Sequence, residues 1–203
     1  LIKKIPKEIL QKYKTDSTYI RLRWRLCPFE LIESLVPEEG TIVDIGCGCG
    51  ILANLMHLKH KKRKIIGIDS SAKRIAIAKG SNTEINFLLS QADNLEIKHF
   101  DAVVMSDFLH HIEYKTQIKL LKKIYQRINK NGILLIEEIC YRPFWKYIAV
   151  WFADHILNPG KRVYYRKAEE MVSLLSKTGF HVEIIKADKG LPLSDIIYLC
   201  RKI

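Results

Sequence analysis

Thr41-Ile42-Val43-Asp44-Ile45-Gly46-Cys47-Gly48-Cys49-Gly50 is the stretch whose reading decides the fold. Its first half is β-branched and suits a buried strand. Its second half has glycine at every other position, where the backbone can take positive φ and approach a ligand closely. Ile51-Leu52-Ala53-Asn54-Leu55-Met56 follows as the opening of a helix. Strand, glycine turn and helix start together aim free backbone N–H groups above the strand. A dinucleotide fingerprint, Gly-x-Gly-x-x-Gly from Gly46, requires glycine where Ile51 stands, so it fails; Asp-x-Gly-x-Gly-x-Gly fits.

The segments that follow alternate strand and helix, which predicts a mostly parallel sheet. Lys64–Asp69 reads as the second strand and ends in an acid 19 residues after Gly50. An acid at that place can accept hydrogen bonds from both ribose hydroxyls of a nucleoside. Ser70-Ser71 starts the next helix, and Glu84–Leu89 is the third strand. Phe100–Ser106 is the fourth strand, followed by Asp107-Phe108-Leu109-His110-His111. The ends of the first and fourth strands should be neighbours, and an open α/β sheet binds its ligand in such a crevice. The periodicity predicts an amphipathic helix over Tyr114–Asn129, closed by Asn131-Gly132, and a fifth strand over Ile133–Glu138 whose Glu138 faces an acceptor. A helix over Arg166–Lys177 leads into two consecutive strands, His181–Ile185 and Leu193–Cys200. The short Gly190-x-Pro192 turn between these makes them antiparallel.

Asp44-x-Gly46-x-Gly48-x-Gly50, Asp69, the Ala92-Asp93 pair and the Asp107–His111 stretch together resemble the class I S-adenosylmethionine-dependent methyltransferases, in their small-molecule, type 11-like branch. The resemblance covers residues 40 to 203. It implies a Rossmann-like, doubly wound α/β fold: a seven-stranded sheet, mostly parallel, with an antiparallel last strand. One domain, 1–203, would carry an N-terminal helical cap (1–38) and a helical lid insertion (141–162). The resemblance implies S-adenosyl-L-methionine as cofactor, held by Asp44, Gly46, Cys47, Gly48, Asp69, Ser70, Ala92, Asp93, Ser106 and Asp107. Asp93 would accept from the adenine amine, and Asp44 would steady the cofactor ammonium. His110 or His111 would contact the acceptor or act as general base, since imidazole titrates near neutrality. The Asn/Asp-Pro-Pro-aromatic motif of nucleic-acid amine methylases is not present at Asp107–His111.

The cap reads as helical over 6–36 with one break near Asp16-Ser17. Tyr13, Tyr19 and the arginines at 21, 23 and 25 are expected at its surface, with contact to the methionine carboxylate as the alternative. Phe144–Leu157 is apolar and aromatic on nearly every side, which suggests a lid for a hydrophobic or lipid-like acceptor, a membrane-surface contact or a dimer contact. Such an acceptor is the expected partner, and oligomeric state is left open.

The chain of 203 residues suits one α/β domain. Its net charge of +12 leaves nucleic acid open as a partner, though not the favoured one. The densest basic run, His57–Lys64, should form a solvated loop at the edge of the sheet opposite the ligand. Five scattered cysteines point to a reducing cytoplasm rather than a disulfide framework. Neither Cys47-x-Cys49 nor His110-His111 has companions at metal-ligand spacing, so no metal is expected.

Overall fold

The computed structural model describes residues 4–13, 17–94, 96, 99–139, 163–187 and 195–203. The lid expected over 141–162 and the turn at Gly190–Pro192 lie outside the described residues. Three short helices open the chain: α1 (Lys7–Gln11), α2 (Ser17–Leu26) and α3 (Phe29–Ser34). The expected single break is therefore two, because Pro28 (φ −81°, ψ 48°) stands outside helical geometry between α2 and α3. The rest alternates: β1 (Gly40–Ile45), α4 (Ile51–Lys59), β2 (Arg63–Asp69), α5 (Ala72–Ser81), β3 (Asn86–Leu89), β4 (Phe100–Ser106), α6 (Tyr114–Arg127), β5 (Ile128–Ile139), α7 (Ala168–Thr178), β6 (His181–Lys186) and β7 (Asp195–Arg201).

The sheet has seven strands in the order β3-β2-β1-β4-β5-β7-β6. β1 pairs in parallel with β2 on one side and β4 on the other, so the winding reverses between β1 and β4. β7 lies antiparallel between β5 and β6, as the sequence predicts. The fold is thus the Rossmann-like α/β arrangement expected from the motifs.

Alternation along each strand builds two cores. Ile42, Ala102, Val104 and Leu135 point to the face covered by α1 to α5, where Ile9, Ile20, Trp24, Ile32, Leu55 and Met56 pack. Val43, Val103, Met105, Leu134 and Ile136 point to the opposite face, against Leu120, Leu121 and Ile124 of α6 and Leu175 of α7. Full burial of such side chains stabilises by about 1.5–3 kcal/mol each. Among the described residues, no helix is long and apolar enough to cross a membrane.

Two local expectations are corrected. Helix α6 stops at Arg127, before Asn131-Gly132, and β5 begins at Ile128. Asn129 Nδ2 donates to Asp101 Oδ1 at 2.7 Å, and the Asn131 amide donates to the Lys202 carbonyl at 2.9 Å. These partners hold the segment extended, with Asn131 at φ 62° where the β4–β5 register shifts. The basic run at 57–64 is also less solvated than expected. Arg63 is 4% exposed; its guanidinium meets Glu33 at 2.6 Å and donates to the carbonyls of Pro37, Met56 and Val36. His57 is buried with Nε2 3.1 Å from Glu84.

Candidate active site

The site is built where the sheet reverses direction. Beyond β1 the chain must turn sharply, and Gly46, Gly48 and Gly50 take φ of 77°, 55° and 80°. Side chains rarely adopt such values, which is the physical reason for the glycine spacing. The Gly46 and Cys47 amides donate to the Ile68 carbonyl at 2.7 and 3.0 Å, tying the turn to β2. A Cβ on Gly48 would meet nothing within 4 Å, so its backbone faces open space. A Cβ on Gly46 would collide with the Phe108 ring.

Two neighbouring cavities flank that ring. The first, about 270 Å³, is lined by Asp44, Gly46, Cys47, Gly48, Asp69, Ser70, Ser106 and Asp107, with Tyr19, Arg23 and Arg74 also on its wall. The second, about 340 Å³, is lined by Ser90, Gln91, Ala92, Asp93, Ile112 and Thr116. Gly46, Asp69, Ser70, Phe108 and His111 border both. Every residue assigned to the cofactor from the sequence thus lines one cavity or the other.

Asp69 ends β2 with both oxygens engaged by backbone: Oδ2 accepts from the Gly48 amide at 2.9 Å and Oδ1 from the Ser71 amide at 2.8 Å. Each carboxylate oxygen keeps acceptor capacity for a further donor. Asp44 is 2% exposed, and its Oδ2 has no hydrogen-bond partner among the described residues. Burial, and then the nearby Asp69 charge, push its carboxyl up to about 7. Burial pushes the Cys47 thiol far up, so it stays protonated and serves as a small lining group.

At the end of β4, Asp107 takes φ 53°, a left-handed conformation on a non-glycine residue. Its amide donates to the Glu137 carbonyl at 3.1 Å, and its Oδ2 lies 2.6 Å from Arg23 Nη1. Burial raises the Asp107 carboxyl, but Arg23 and then His110 outweigh it and hold it below the usual range. The expectation that Arg23 lies at the surface is therefore corrected: α2 delivers it into the cavity wall. Tyr13 is buried too, its hydroxyl donating to the Cys49 carbonyl at 3.0 Å behind the glycine turn.

The two histidines part company. His111 is exposed and borders both cavities. His110 is 2% exposed; its Nδ1 is 2.7 Å from Glu138 Oε2, its amide donates to Glu138 Oε1 at 3.2 Å, and its Nε2 is 3.7 Å from Asp107 Oδ1. Its ring stacks on Tyr165 at 4.7 Å. Glu138, expected to face the acceptor, is instead buried beneath His110. Glu137 is buried beside it and accepts from the Ser106 hydroxyl at 2.7 Å; burial and the Asp107 charge push its carboxyl up to about 8.

Sequence reading missed Arg74, Phe108 and Glu137 as site components, and it gave Glu138 a place facing the acceptor rather than beneath His110. Arg74 was legible only as a helix residue five positions beyond Asp69. Phe108 was legible as part of the Asp107–His111 stretch, but its seat on Gly46 was not. Among the described residues, no group of three His, Cys, Asp or Glu side chains could hold a metal ion.

A glycine turn opening beneath two acids, at the switch point of this sheet order, defines a class I methyltransferase domain. The methyltransferase domain family model matches residues 19–184, and the chain belongs to that family. Its cofactor is S-adenosyl-L-methionine. The chain is 32% identical, over 116 residues, to the carboxy-S-adenosyl-L-methionine synthase of Actinobacillus pleuropneumoniae; the match takes in 53% of this chain and 48% of that protein. The chain thus spans about half the length of such relatives. Its fold is shared with an S-adenosylmethionine-dependent methyltransferase of Mesorhizobium loti (TM-score 0.70, 18% identity, 89% of this chain and 97% of that one). It is shared equally with one of Thermotoga maritima (TM-score 0.72, 18% identity, 97% of this chain and 99% of that one).

The residues present fit this cofactor. The buried Asp44 oxygen without a partner offers a counter-charge for an ammonium, the Asp69 carboxylate offers acceptors for ribose hydroxyls, and the open backbone at Gly48 leaves room beside them.

Proposed function

We propose that the domain methylates a small, apolar or lipid-like acceptor at oxygen or carbon. The observation that carries this reading is the cavity pair at the β1–β4 switch point, with Asp44 and Asp69 on its floor and exposed His111 at its rim. When bound, S-adenosylmethionine supplies a methyl group on a sulfonium, which is already an electrophile.

The chain's own residues then bind, orient and exclude water. Asp69, held in place by the Gly48 and Ser71 amides, would accept from the ribose hydroxyls. Asp44 would hold the ammonium through its ionised carboxylate, with any proton it still carries passing to solvent. Asp93 and Ala92 border the adenine end. Arg23 is fixed by Asp107 at the cavity wall, where it and Arg74 supply cations for a carboxylate. Alignment of acceptor and donor can contribute about 7–11 kcal/mol to a transfer of this kind. For an oxygen acceptor, His111 is placed to take the hydroxyl proton; His110, enclosed by Glu138, Asp107 and Tyr165, positions the loop that carries it. A carbon acceptor activated by its own ring needs no such base. Phe108 and Ile112 beside His111, and the apolar composition of 144–157, support an apolar acceptor.

A second reading follows the chemistry in the relatives' name, the making of carboxy-S-adenosyl-L-methionine. The presence of two cations, Arg23 and Arg74, on the cavity wall bears on it, because one could hold the methionine carboxylate and the other an added carboxylate. Incubation with methyl-labelled cofactor and separate lipid, metabolite, RNA and protein fractions tests the proposal. Label in lipid or apolar metabolites supports it. Label confined to RNA or protein refutes it, and a carboxylated cofactor without transfer of label favours the second reading.

A further inference from the structure

Helix α2 divides its residues among three directions. Ile20, Trp24 and, just beyond the helix, Cys27 are buried in the core. Tyr19 and Arg23, four apart, line the cavity. Thr18, Arg21, Leu22 and Arg25, at positions i, i+3, i+4 and i+7, form one outer stripe, and all four are exposed. Leu22 is 47% exposed between the two arginines, and Tyr19 at the cavity edge is 40% exposed. The helix contains no acidic residue. A leucine held outward between cations, with no carboxylate on the same element, is a poor solvated face and a good match to an anionic interface.

We propose that the outer stripe of α2 docks on an anionic lipid bilayer, so that the mouth of the cavity faces the membrane surface. This rests on the reading of the acceptor as lipid-like: an acceptor dissolved in a bilayer would reach the cavity past Tyr19 without crossing water. The chemistry favours a bilayer over a nucleic acid because exposed Leu22 lies within the stripe and exposed Tyr19 lies beside it at the cavity edge. Phosphate backbones reward the cations alone, whereas a bilayer rewards the apolar insertions too.

The test is co-sedimentation of the full chain with vesicles of phosphatidylcholine alone and of phosphatidylcholine and phosphatidylglycerol in equal parts. Binding only to the anionic vesicles is expected. Each arginine contributes a factor of about five at such a surface, so Arg21→Ala/Arg25→Ala should lose roughly 25-fold. Leu22→Ala should lose severalfold at unchanged charge, and Arg21→Lys/Arg25→Lys should restore binding. Titration with S-adenosylhomocysteine, expected to be unchanged in all these variants, verifies that they are folded. It also separates the two claims: vesicle binding without S-adenosylhomocysteine binding would sink the methyltransferase reading and leave the docking face standing. Failure of the wild type to sediment with anionic vesicles overturns the proposal. So does sedimentation indifferent to the arginines, or binding to RNA that is stronger than to vesicles and indifferent to Leu22.

Discussion

Replacing Asp44 by asparagine should make the protein more stable and a worse binder at the same pH. In the folded chain the Asp44 carboxyl stands at about 7, against 3.8 for the unperturbed group, because it is buried beside Asp69, with no hydrogen-bond partner for Oδ2 among the described residues. Between those two values the folded state holds a proton that the unfolded state has released. Stability contributed at this position therefore falls as pH rises from about 4 to about 7 and stays low above that. At about 1.36 kcal/mol per pH unit the loss is on the order of 4 kcal/mol by pH 8. Asparagine removes that cost but leaves a buried amide with donors to satisfy, at about 1–3 kcal/mol. Asp44→Asn should thus gain roughly 1–3 kcal/mol over wild type at pH 8. At pH 5, where the native carboxyl is already protonated, it should be neutral or slightly destabilised. Urea unfolding at both pH values measures this reversal. Affinity for S-adenosylhomocysteine should move the other way, falling at pH 8 by roughly 10- to 100-fold as one charge-assisted hydrogen bond is lost. A variant less stable than wild type at pH 8, or one that binds as well, would refute the argument.

Other positions give sharper, simpler outcomes. Gly46→Ala puts a side chain at φ 77° and against the Phe108 ring, so calorimetry should find S-adenosylhomocysteine binding abolished or the fold destabilised by several kcal/mol. Arg23→Ala leaves Asp107 without its cation; its carboxyl should rise, and thermal stability should fall by about 1–3 kcal/mol at pH 8, a difference that shrinks as pH falls through the depressed titration range of Asp107. Gln117 is 1% exposed, donates to the carbonyls of Ile112 and Tyr164 at 2.9 and 3.1 Å, and accepts from Arg166 at 2.7 Å. Gln117→Ala should speed hydrogen exchange in 109–112 and 163–166 together, while the β1–β2 amides keep their protection.

The glycine turn, the acid ending β2 and the antiparallel insertion of β7 were legible. Positive φ demands glycine, a strand end positions an acid, and two consecutive strand patterns pair antiparallel, with the resemblance supplying their place in the sheet. Arg23 was legible only as one of three arginines with a surface place or a contact to the methionine carboxylate, since its selection depends on Asp107, 84 residues away, and on α2 lying across the switch point. Arg63 misled for a related reason: a cation in a basic run reads as solvated until Glu33 and three carbonyls converge on it. His110 and His111 are equivalent in sequence, and only the placement of Glu138 at the end of β5 decides which is enclosed.

Calorimetric titration of wild-type chain and of Asp69→Ala with S-adenosylhomocysteine at pH 8 tests the central claim most directly. A saturable one-to-one isotherm for the wild type, weakened at least tenfold in the variant, is predicted. No heat of binding to the wild type, or the same affinity without the Asp69 carboxylate, would contradict the placement of the adenosyl group between the glycine turn and the end of β2.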